Sequence, residues 1–388
     1  MNFNFYMPAN IVFGAGELSN LAKYNLPGTK GMIVISNGKS TRANGYLNRL
    51  IEQLELAGKR YAIFDGIEAN PLKSTVMKGA EFCRKNGCDF IVALGGGSCI
   101  DAAKVIALMT VNNGDLWDYV AAGTGKGQTP SHKPLPIVAI PTTAGTGSEA
   151  DAGAVVTNEV TNEKTGYVNP DLFPCLSIVD AELTLSVPPL FTAFQGFDAL
   201  FHSIEGYLSN MANPVSDMYA LKAVSCIASH LAAAVKDGSD LKAREALMLG
   251  STLGGVVMVV GKLTSQHSLE HALSAFHQEL PHGAGLILLS KAYFGHMIEN
   301  HICDKRFVDL AHAMGMQDAT APADFLTVLG DLLEACDVAD LKMSDYGITV
   351  DEFEKFTQNA KSSMAKFFKC DRAVLSDADC VQIYKNSY

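Results

Sequence analysis

The first half of the chain alternates short apolar runs with longer amphipathic segments, and this alternation limits the folds available to it. The strand-like runs lie at 32–36, 61–64, 90–94 and 136–140. The helix-length segments between them lie near 40–56, 72–87 and 99–109. Such an order indicates a parallel sheet with helices on both faces. We expect short strands near 153–157 and 176–180 to complete this part, joined by a ribbon or loop that carries 162–166.

The second half has a different character. Strand-like runs disappear after Pro188 and Pro189, and apolar residues recur at three- and four-residue spacing over 217–235, 283–299 and 321–335. Two consecutive prolines resist both a helix interior and a central strand, so they mark a natural boundary. A chain of 388 residues also exceeds what one hydrophobic core usually serves. The sequence therefore predicts an α/β domain over 1–185 and an all-α domain over 186–388.

Composition narrows the classes of partner and the compartment. A net charge of −11 disfavours nucleic acid and anionic membranes, because both would repel an acidic surface. The first six residues lack the pattern of a secretory signal, and the most apolar run, 256–260, is far shorter than a membrane span. Nine cysteines without a CxxC pair indicate reduced thiols rather than a disulfide framework. We therefore expect a cytoplasmic protein without a membrane or nucleic-acid partner.

Two polar loops follow predicted strands of the first domain. The Gly-Gly-Gly-Ser run at 95–98 precedes a helix, and its glycines allow a pyrophosphate to approach the N–H groups of the helix start. Ser98 can cap that helix or donate to a phosphate oxygen. The second loop, PTTAGTGSE at 141–149, also follows a strand, and such loops line the ligand crevice of an open parallel sheet. Together they favour a nucleotide site, although each could also be a turn that satisfies its own backbone.

Asp198 and His202 form the first candidate metal pair. Their spacing of four places both side chains on one face of a helix, about one turn apart. Their neighbours are largely apolar, so a buried carboxylate and imidazole are costly unless they share a partner. By spacing alone, a hydrogen-bonded couple in the core is favoured over a pair of metal ligands.

A second cluster holds four of the ten histidines, at positions 267, 271, 277 and 282. His267 and His271 are again four apart, and His282 follows Pro281, where a helix would have ended. One aspartate and up to three histidines without a cysteine suit Fe²⁺ or Zn²⁺. A surface histidine patch and a closed structural zinc site are the alternatives. Spacing alone does not decide which of the four histidines bind.

Four ordered motifs carry a resemblance to a known family. They are Gly95-Gly-Gly-Ser-x-x-Asp-x-x-Lys104, the loop at 141–149, Gly196-x-Asp-x-x-x-His202-x-x-Glu205, and His267-x-x-x-His271 with Pro281-His-Gly283. They resemble the iron-dependent, group III alcohol dehydrogenases, which include lactaldehyde reductases, 1,3-propanediol dehydrogenases and butanol dehydrogenases. The likeness extends from residue 10 to about residue 300. It implies a Rossmann-like, dehydroquinate-synthase-like first domain that binds dinucleotide and a helical second domain that binds metal.

The resemblance also implies roles for single residues of the second domain. Asp198, His202, His267 and His282 would bind the metal, while His271 would relay the alcohol proton. The stretch between His271 and His282 is one residue longer than in similar chains. His277 is therefore an alternative for the last ligand, although the Pro-His-Gly context favours His282.

In the first domain, the resemblance implies a set of cofactor-binding residues. They are Asn37, Gly96, Gly97, Ser98, Asp101, Thr142, Thr143, Thr146 and Lys164. The pyrophosphate would contact the glycines and Ser98, the threonines would line the nicotinamide side, and Lys164 would contact the adjacent ribose. Asn37 stands where several NAD-preferring members carry an acid. Without that charge, Lys39 and its neighbours could hold a 2′-phosphate, so NADP(H) is expected to be tolerated or preferred.

These observations predict an NAD(P)-dependent oxidoreductase that interconverts a small primary alcohol or diol and its aldehyde. The rival predictions are a zinc-dependent, glycerol-dehydrogenase-like enzyme, a metal-free maleylacetate-reductase-like enzyme, and a nucleotide- and metal-binding protein without turnover. The resemblance further implies a homodimer or higher homo-oligomer that associates through the strand near 11–13.

Overall fold

A computed structural model of the protein describes residues 2–388. These residues divide into two compact units. The α/β unit comprises 6–143 and 147–186. The helical unit comprises 2–5, 144–146 and 187–388. The α/β unit with its parallel sheet and the helical C-terminal part confirm the predicted fold class.

The strands of the described chain are β1 Ile11–Phe13, β2 Lys30–Ser36, β3 Arg60–Ile67, β4 Phe90–Gly95, β5 Ile137–Pro141, β6 Gly153–Asn158, β7 Glu163–Val168 and β8 Leu176–Val179. Six of them form one parallel sheet at the centre of the α/β unit, in the order β1-β8-β5-β4-β2-β3. β4 and β5 are buried at every position. Strands covered on both faces are continuously apolar, which is why simple runs of hydrophobic residues located them.

Helices cover both faces of this sheet. They are α1 Ser40–Ala43, α2 Tyr46–Leu56, α3 Lys73–Asn86, α4 Gly97–Val111 and α5 Leu116–Tyr119. α3 and α4 pack in the core cluster of one face, and α2 packs in that of the other. The chain order reverses direction between β2 and β4, so a topological switch point lies at their carboxyl ends. Open α/β sheets bind ligands at such a point.

One local prediction is confirmed and another needs correction. The strand predicted near 153–157 is β6, which pairs with β7 as an antiparallel two-stranded ribbon apart from the main sheet. The helix predicted over 40–56 is interrupted at Gly45, whose φ of 75° is left-handed and breaks the helical path. Periodicity could not show this interruption, since it does not change the spacing of the apolar residues.

The helical unit contains ten α-helices in the described chain. They are α6 Pro189–Leu208, α7 Pro214–Lys236, α8 Leu241–Val260, α9 Ser265–Phe276, α10 His282–Glu299, α11 Asp304–Ala313, α12 Asp324–Ala335, α13 Phe353–Ser363, α14 Ala365–Phe368 and α15 Asp377–Asn386. By length and composition alone, α7 and α8 could cross a membrane. Their most apolar windows are 44% and 67% buried within the protein, and core helices of globular proteins meet the same criterion.

Candidate functional site

α6 supplies two of the predicted metal ligands. It starts with a proline in its first turn, where the missing N–H costs nothing. From Thr192 to Leu208 it is buried almost all round, so its polar residues Asp198 and His202 lie inside the protein. Their exposed fractions are 4% and 5%. Such burial of a carboxylate is favourable only with a compensating partner.

The other two ligands come from α9 and from the start of α10. His267 lies in the first turn of α9, and His282 is the first residue of α10, directly after Pro281. Gly283 lets this helix start approach α6, because a Cβ at that position would lie 2.1 Å from the carbonyl oxygen of Phe194. The Pro-His-Gly sequence therefore fixes His282 against the helix that carries Asp198.

The four predicted ligands converge. The Asp198 Oδ1 atom lies 3.5 Å from His202 Nε2, 3.7 Å from His267 Nε2 and 3.5 Å from His282 Nε2. The donor atoms of Asp198, His267 and His282 all lie within 4.8 Å of one another. Three imidazole nitrogens thus face one carboxylate oxygen around a common centre.

The other ring nitrogen of each imidazole, Nδ1, faces an oxygen atom that accepts a hydrogen bond, either of a carboxylate or of a backbone carbonyl. His267 Nδ1 contacts the Glu205 carboxylate, and His282 Nδ1 contacts that of Glu270. His202 Nδ1 lies 3.3 Å from the carbonyl oxygen of Gly145. Each Nδ1 therefore carries a hydrogen, which leaves Nε2 as the nitrogen that can bind a metal in each ring. This is the usual way in which histidines are oriented toward a metal.

The electrostatics of the cluster favour a bound cation. Burial lowers the pKa of His202 to about 3, so its ring is neutral and can offer a lone pair. Burial opposes ionisation of Asp198, but the imidazoles of His202 and His282 outweigh it and hold its pKa below the usual range. Burial also opposes protonation of His267, but Glu205 and Asp198 raise its pKa to about 9. A divalent ion at this nitrogen would displace a proton.

Two buried atoms at the centre of the cluster support the fit of a metal. Within residues 2–388, neither Asp198 Oδ1 nor His267 Nε2 has a hydrogen-bond partner. Buried polar atoms are nearly always satisfied, so each exception needs an explanation, and an ion is one of them. A divalent ion is a partner that both a carboxylate oxygen and an imidazole lone pair accept.

The remaining histidines of the second cluster are placed differently. The ring centroid of His271 lies 5.3 Å from that of His282 and 6.4 Å from that of His267, so His271 borders the centre. His271, Glu270 and His282 also form a second set of side chains close enough together to bind a metal ion. His277 instead packs against Phe356 and pairs with Glu352 at 3.0 Å. The structure thus brings His282, not His277, to Asp198.

The two polar loops of the α/β unit lie side by side. Gly95 at the end of β4 is in register with Pro141 at the end of β5. The Thr142 N–H donates to the Gly95 carbonyl at 3.0 Å. A Cβ on Gly96 would lie 3.0 Å from the Thr143 side chain, so Gly96 keeps the first loop close to the second. Together they form a polar surface at the carboxyl ends of two adjacent strands.

Gly97 and Ser98 open α4, but the predicted cap is wrong. The N-cap residue is Gly96, and no side chain caps the helix. Ser98 lies within the first turn of α4 and not at the N-cap position before it. Its hydroxyl donates to the carbonyl of Ala69 instead. The uncapped N–H groups of this turn suit an anion such as a pyrophosphate.

Asp101 is held within the α/β unit. Its Oδ1 accepts from Ser148 at 2.5 Å, and its Oδ2 accepts from the Val155 N–H at 2.8 Å. Burial raises its pKa to about 6. Lys104, fully buried, donates to Ser148 and Asp151 at 2.8 Å and 2.6 Å. These bonds attach α4 to the second polar loop, so Asp101 has an evident role in shaping that loop.

The other predicted cofactor residues lie at three places. Lys164 is buried in the ribbon, opposite Thr157. Thr146 belongs to the helical unit together with its loop neighbours 144–145. Asn37 is exposed just after β2 and lines a cavity of about 530 Å³. Lys39, Arg42 and Asp65 also line this cavity.

Arg42 and Glu270 were not singled out from the sequence, and Glu205 was named there only as part of a motif, without a role. Arg42 pairs with Asp65 at 2.7 Å beside Asn37. Glu205 and Glu270 each follow a histidine by three residues, in His202-x-x-Glu205 and His267-x-x-Glu270. That repeated spacing was a usable signal. It was missed because each glutamate holds a histidine of another helix rather than its neighbour in sequence.

The first testable prediction concerns Glu270. In Glu270→Gln, a neutral amide replaces the carboxylate that contacts His282 Nδ1, so we expect metal affinity to fall about 10- to 100-fold. Isothermal titration of the metal-free protein with Zn²⁺ measures this change. Glu352→Gln is the matched control, because it alters the equivalent pair with His277 outside the cluster. Equal affinities of the two variants would contradict the role of Glu270.

Comparisons with known proteins identify the family of the chain. Residues 8–181 match the model of iron-containing alcohol dehydrogenases, and 192–388 match that of the C-terminal part of the same family. The chain is 38% identical over 315 residues to a 1,3-propanediol dehydrogenase of Citrobacter freundii, covering 81% of this chain and 78% of the relative. It is 33% identical over 307 residues to a probable NADH-dependent butanol dehydrogenase of Bacillus subtilis, covering 77% of each.

A solved structure is similar over the whole chain. An archaeal halo-thermophilic alcohol dehydrogenase from a Red Sea brine pool superposes with a TM-score of 0.93 at 31% identity, covering 100% of this chain and 99% of that one. The protein belongs to the iron-containing alcohol dehydrogenase family. It is an oxidoreductase that interconverts alcohols and aldehydes.

Proposed function

We propose that Asp198, His202, His267 and His282 bind one divalent metal, Fe²⁺ or Zn²⁺, for alcohol oxidation or aldehyde reduction. One observation carries the proposal: three imidazoles, each with Nδ1 against an acceptor, direct Nε2 at a single buried carboxylate oxygen. The ligand types do not distinguish iron from zinc, and zinc has the higher intrinsic affinity of the two. On this proposal, residues 186–388 are the metal-binding domain.

The residues around the centre divide the chemistry among them. A divalent metal, when bound, supplies Lewis acidity that lowers the pKa of an alcohol and polarises an aldehyde carbonyl. The His282 side chain is 23% exposed, against 2% for His267, so the centre is accessible from the His282 side. His271 borders that side and would transfer the alcohol proton through its imidazole.

We further propose that residues 1–185 bind the nicotinamide cofactor. The uncapped start of α4, with Gly96, Gly97 and Ser98, would bind the pyrophosphate. Thr142 and Thr143 beside it, and Thr146 farther along the loop, would line the nicotinamide side. Lys164 would contact the ribose, and Asp101 would act by holding the second loop. Hydride transfer itself is chemistry of the cofactor.

The residues that line the cavity beside Asn37 favour NADP(H), because they could bind its 2′-phosphate. Asn37 brings no negative charge, and the cationic side chains of Lys39 and Arg42 line the same cavity. A 2′-phosphate is attracted to such cations, and guanidinium can bind it in a bidentate manner. Arg42 is already paired with Asp65, so Asp65 would compete with the phosphate for it. NAD(H) would bind without using these cations.

The second prediction tests this preference. Asn37→Asp places a negative charge where the 2′-phosphate would lie, so kcat/KM with NADP should fall at least about tenfold relative to NAD. Steady-state kinetics with both cofactors measure the ratio. Asn113→Asp adds the same charge at an exposed position outside the cavity and should leave the ratio unchanged. A parent protein with much higher kcat/KM for NAD than for NADP would defeat the preference itself.

The proposed substrates are small primary alcohols or diols and their aldehydes. A panel of short aldehydes, followed by the loss of NAD(P)H absorbance, tests turnover. Metal analysis of protein purified without oxygen identifies the ion. A metal-loaded protein that oxidises no NAD(P)H with any aldehyde would indicate a structural or sensing role instead. A substrate set dominated by polyols, with zinc bound, would indicate the glycerol-dehydrogenase-like alternative.

We also propose a cytoplasmic homo-oligomer, at least a dimer, without nucleic-acid or membrane partners. The net charge of −11 and nine cysteines with no disulfide in the described chain support the compartment and the partners. β1 pairs only with β8 in the described chain, so its other edge is available to a second copy. The Asn10 carbonyl and the Gly14 N–H bond to β8, so the N–H of Phe13, between alternate residues that face β8, points to the free edge. Sedimentation of a Phe13→Pro variant against the parent tests the role of this edge.

A further inference from the structure

A short segment near the C-terminus connects all three helices that carry the candidate ligands. It consists of Cys370, Asp371 and Arg372, and we call it the strap. Asp371 is nine-tenths buried although it lies between α14 and α15, outside the ligand-bearing helices. The hydrogen bonds that connect the strap to these helices go to other residues on the helices or just beyond their ends, and not to the four candidate ligands themselves.

The strap is tied to the end of α6 by backbone and side-chain bonds. The Asn210 N–H donates to the Cys370 carbonyl at 2.8 Å, and its side-chain amide donates to the Asp371 carbonyl at 3.0 Å. The Arg372 guanidinium donates to the carbonyls of Leu208 and Ser209 at 3.0 Å and 2.9 Å. The last carbonyls of a helix lack partners within the helix, so these bonds fix the end of α6.

The Asp371 carboxylate connects the strap to α9 and α10. Its Oδ1 accepts from the Ser265 N–H at 2.9 Å, in the first turn of α9, and from the Tyr293 hydroxyl of α10 at 3.2 Å. Ser265 lies two residues before His267, and Thr264 beside it donates to Glu205, the carboxylate that holds His267. Asp371 thus bonds to the same helix start that Glu205 contacts through Thr264.

We propose that Asp371 is a positioning residue of the metal centre, setting the start of α9 relative to α6 and α10. This inference rests on the metal site proposed above. Its physical basis is that ligand nitrogens must be held to within a few tenths of an ångström for tight binding, and supporting contacts determine that precision. Among the described residues 2–388, Asp371 supplies the one acceptor for the Ser265 N–H, while the backbone of the strap and Arg372 hold the end of α6.

Asp371 would hold the start of α9 by accepting hydrogen bonds, which does not require a charged side chain. Burial raises the pKa of Asp371 to about 7, against bonds from Ser265 and Tyr293 that lower it, and the charge of Glu205 raises it further. A neutral side chain of the same shape is therefore compatible with the site. Asn at this position keeps an acceptor oxygen, whereas Ala leaves the Ser265 N–H without one.

The test compares three variants loaded with Co²⁺. Asp371→Ala should release Co²⁺ to excess EDTA about tenfold faster than the parent and alter its visible absorption spectrum, while Asp371→Asn should stay close to the parent. Asp240→Ala is the matched control, since Asp240 caps α8, which carries no candidate ligand, by accepting from the Ala243 N–H at 3.0 Å. It should lower thermal stability and leave the Co²⁺ spectrum and release rate unchanged.

The outcomes separate this inference from the proposed function. Equal release rates for Asp371→Ala and Asp240→Ala would overturn the positioning role while leaving the metal site in place. Release from Asp371→Asn as fast as from Asp371→Ala would overturn hydrogen-bond acceptance as its means. A parent protein that binds no Co²⁺ would overturn the metal site and this inference together.

Discussion

His267→Ala is expected to abolish stable metal binding and to reduce turnover at least about a thousandfold. His267 Nε2 is one of three imidazole nitrogens facing Asp198 Oδ1, and its ring is held by Glu205. The substitution removes one candidate ligand. It also takes one partner each from the buried carboxylates of Asp198 and Glu205. A bound metal stabilises the transition state by several kcal/mol, and a loss of about 4 kcal/mol lowers the rate about a thousandfold.

Metal content after gel filtration and kcat with a short aldehyde measure these two losses. His277→Ala is the matched control: it removes a histidine from the same sequence cluster, but one that pairs with Glu352. It should retain both metal and rate. Full metal content in His267→Ala, or metal loss in His277→Ala, would contradict the ligand set. Circular dichroism of both variants checks that α9 remains folded.

Side-chain contacts within one helix were easier to predict from the sequence than contacts between helices. The spacing of Asp198 and His202 placed both on one face of a helix, and the structure has them 3.5 Å apart. The choice between His277 and His282 depended on where α9 ends and α10 begins. A difference of five residues across a turn sends the two side chains to different surroundings. Local periodicity carries no information about that turn.

Supporting residues were the hardest to predict. Glu205 holds a histidine 62 residues away, and Asp371 bonds to a backbone N–H 106 residues away. Such pairs depend on which helices become neighbours, which no single segment encodes. The sheet was easier to predict, because β4 and β5 are buried on both faces and read as uninterrupted apolar runs. The ribbon of β6 and β7 has the same kind of strand signal but a different pairing.

The proton-transfer role of His271 gives the second large prediction. His271 is 4% exposed and borders the centre without joining the three imidazoles that face Asp198. If it transfers the alcohol proton, His271→Ala should keep its full metal content. Its kcat should fall about 10²- to 10⁴-fold, the usual contribution of a general acid or base.

Metal content, kcat and KM measured on one preparation distinguish this role from ligation. Loss of a proton-transfer group lowers kcat with little change in KM, since the group acts in the chemical step rather than in substrate binding. Added imidazole should restore part of the rate in His271→Ala but none in His267→Ala, where the metal itself is lost. Metal loss in His271→Ala would assign it to the ligand set, and an unchanged kcat would remove it from the reaction.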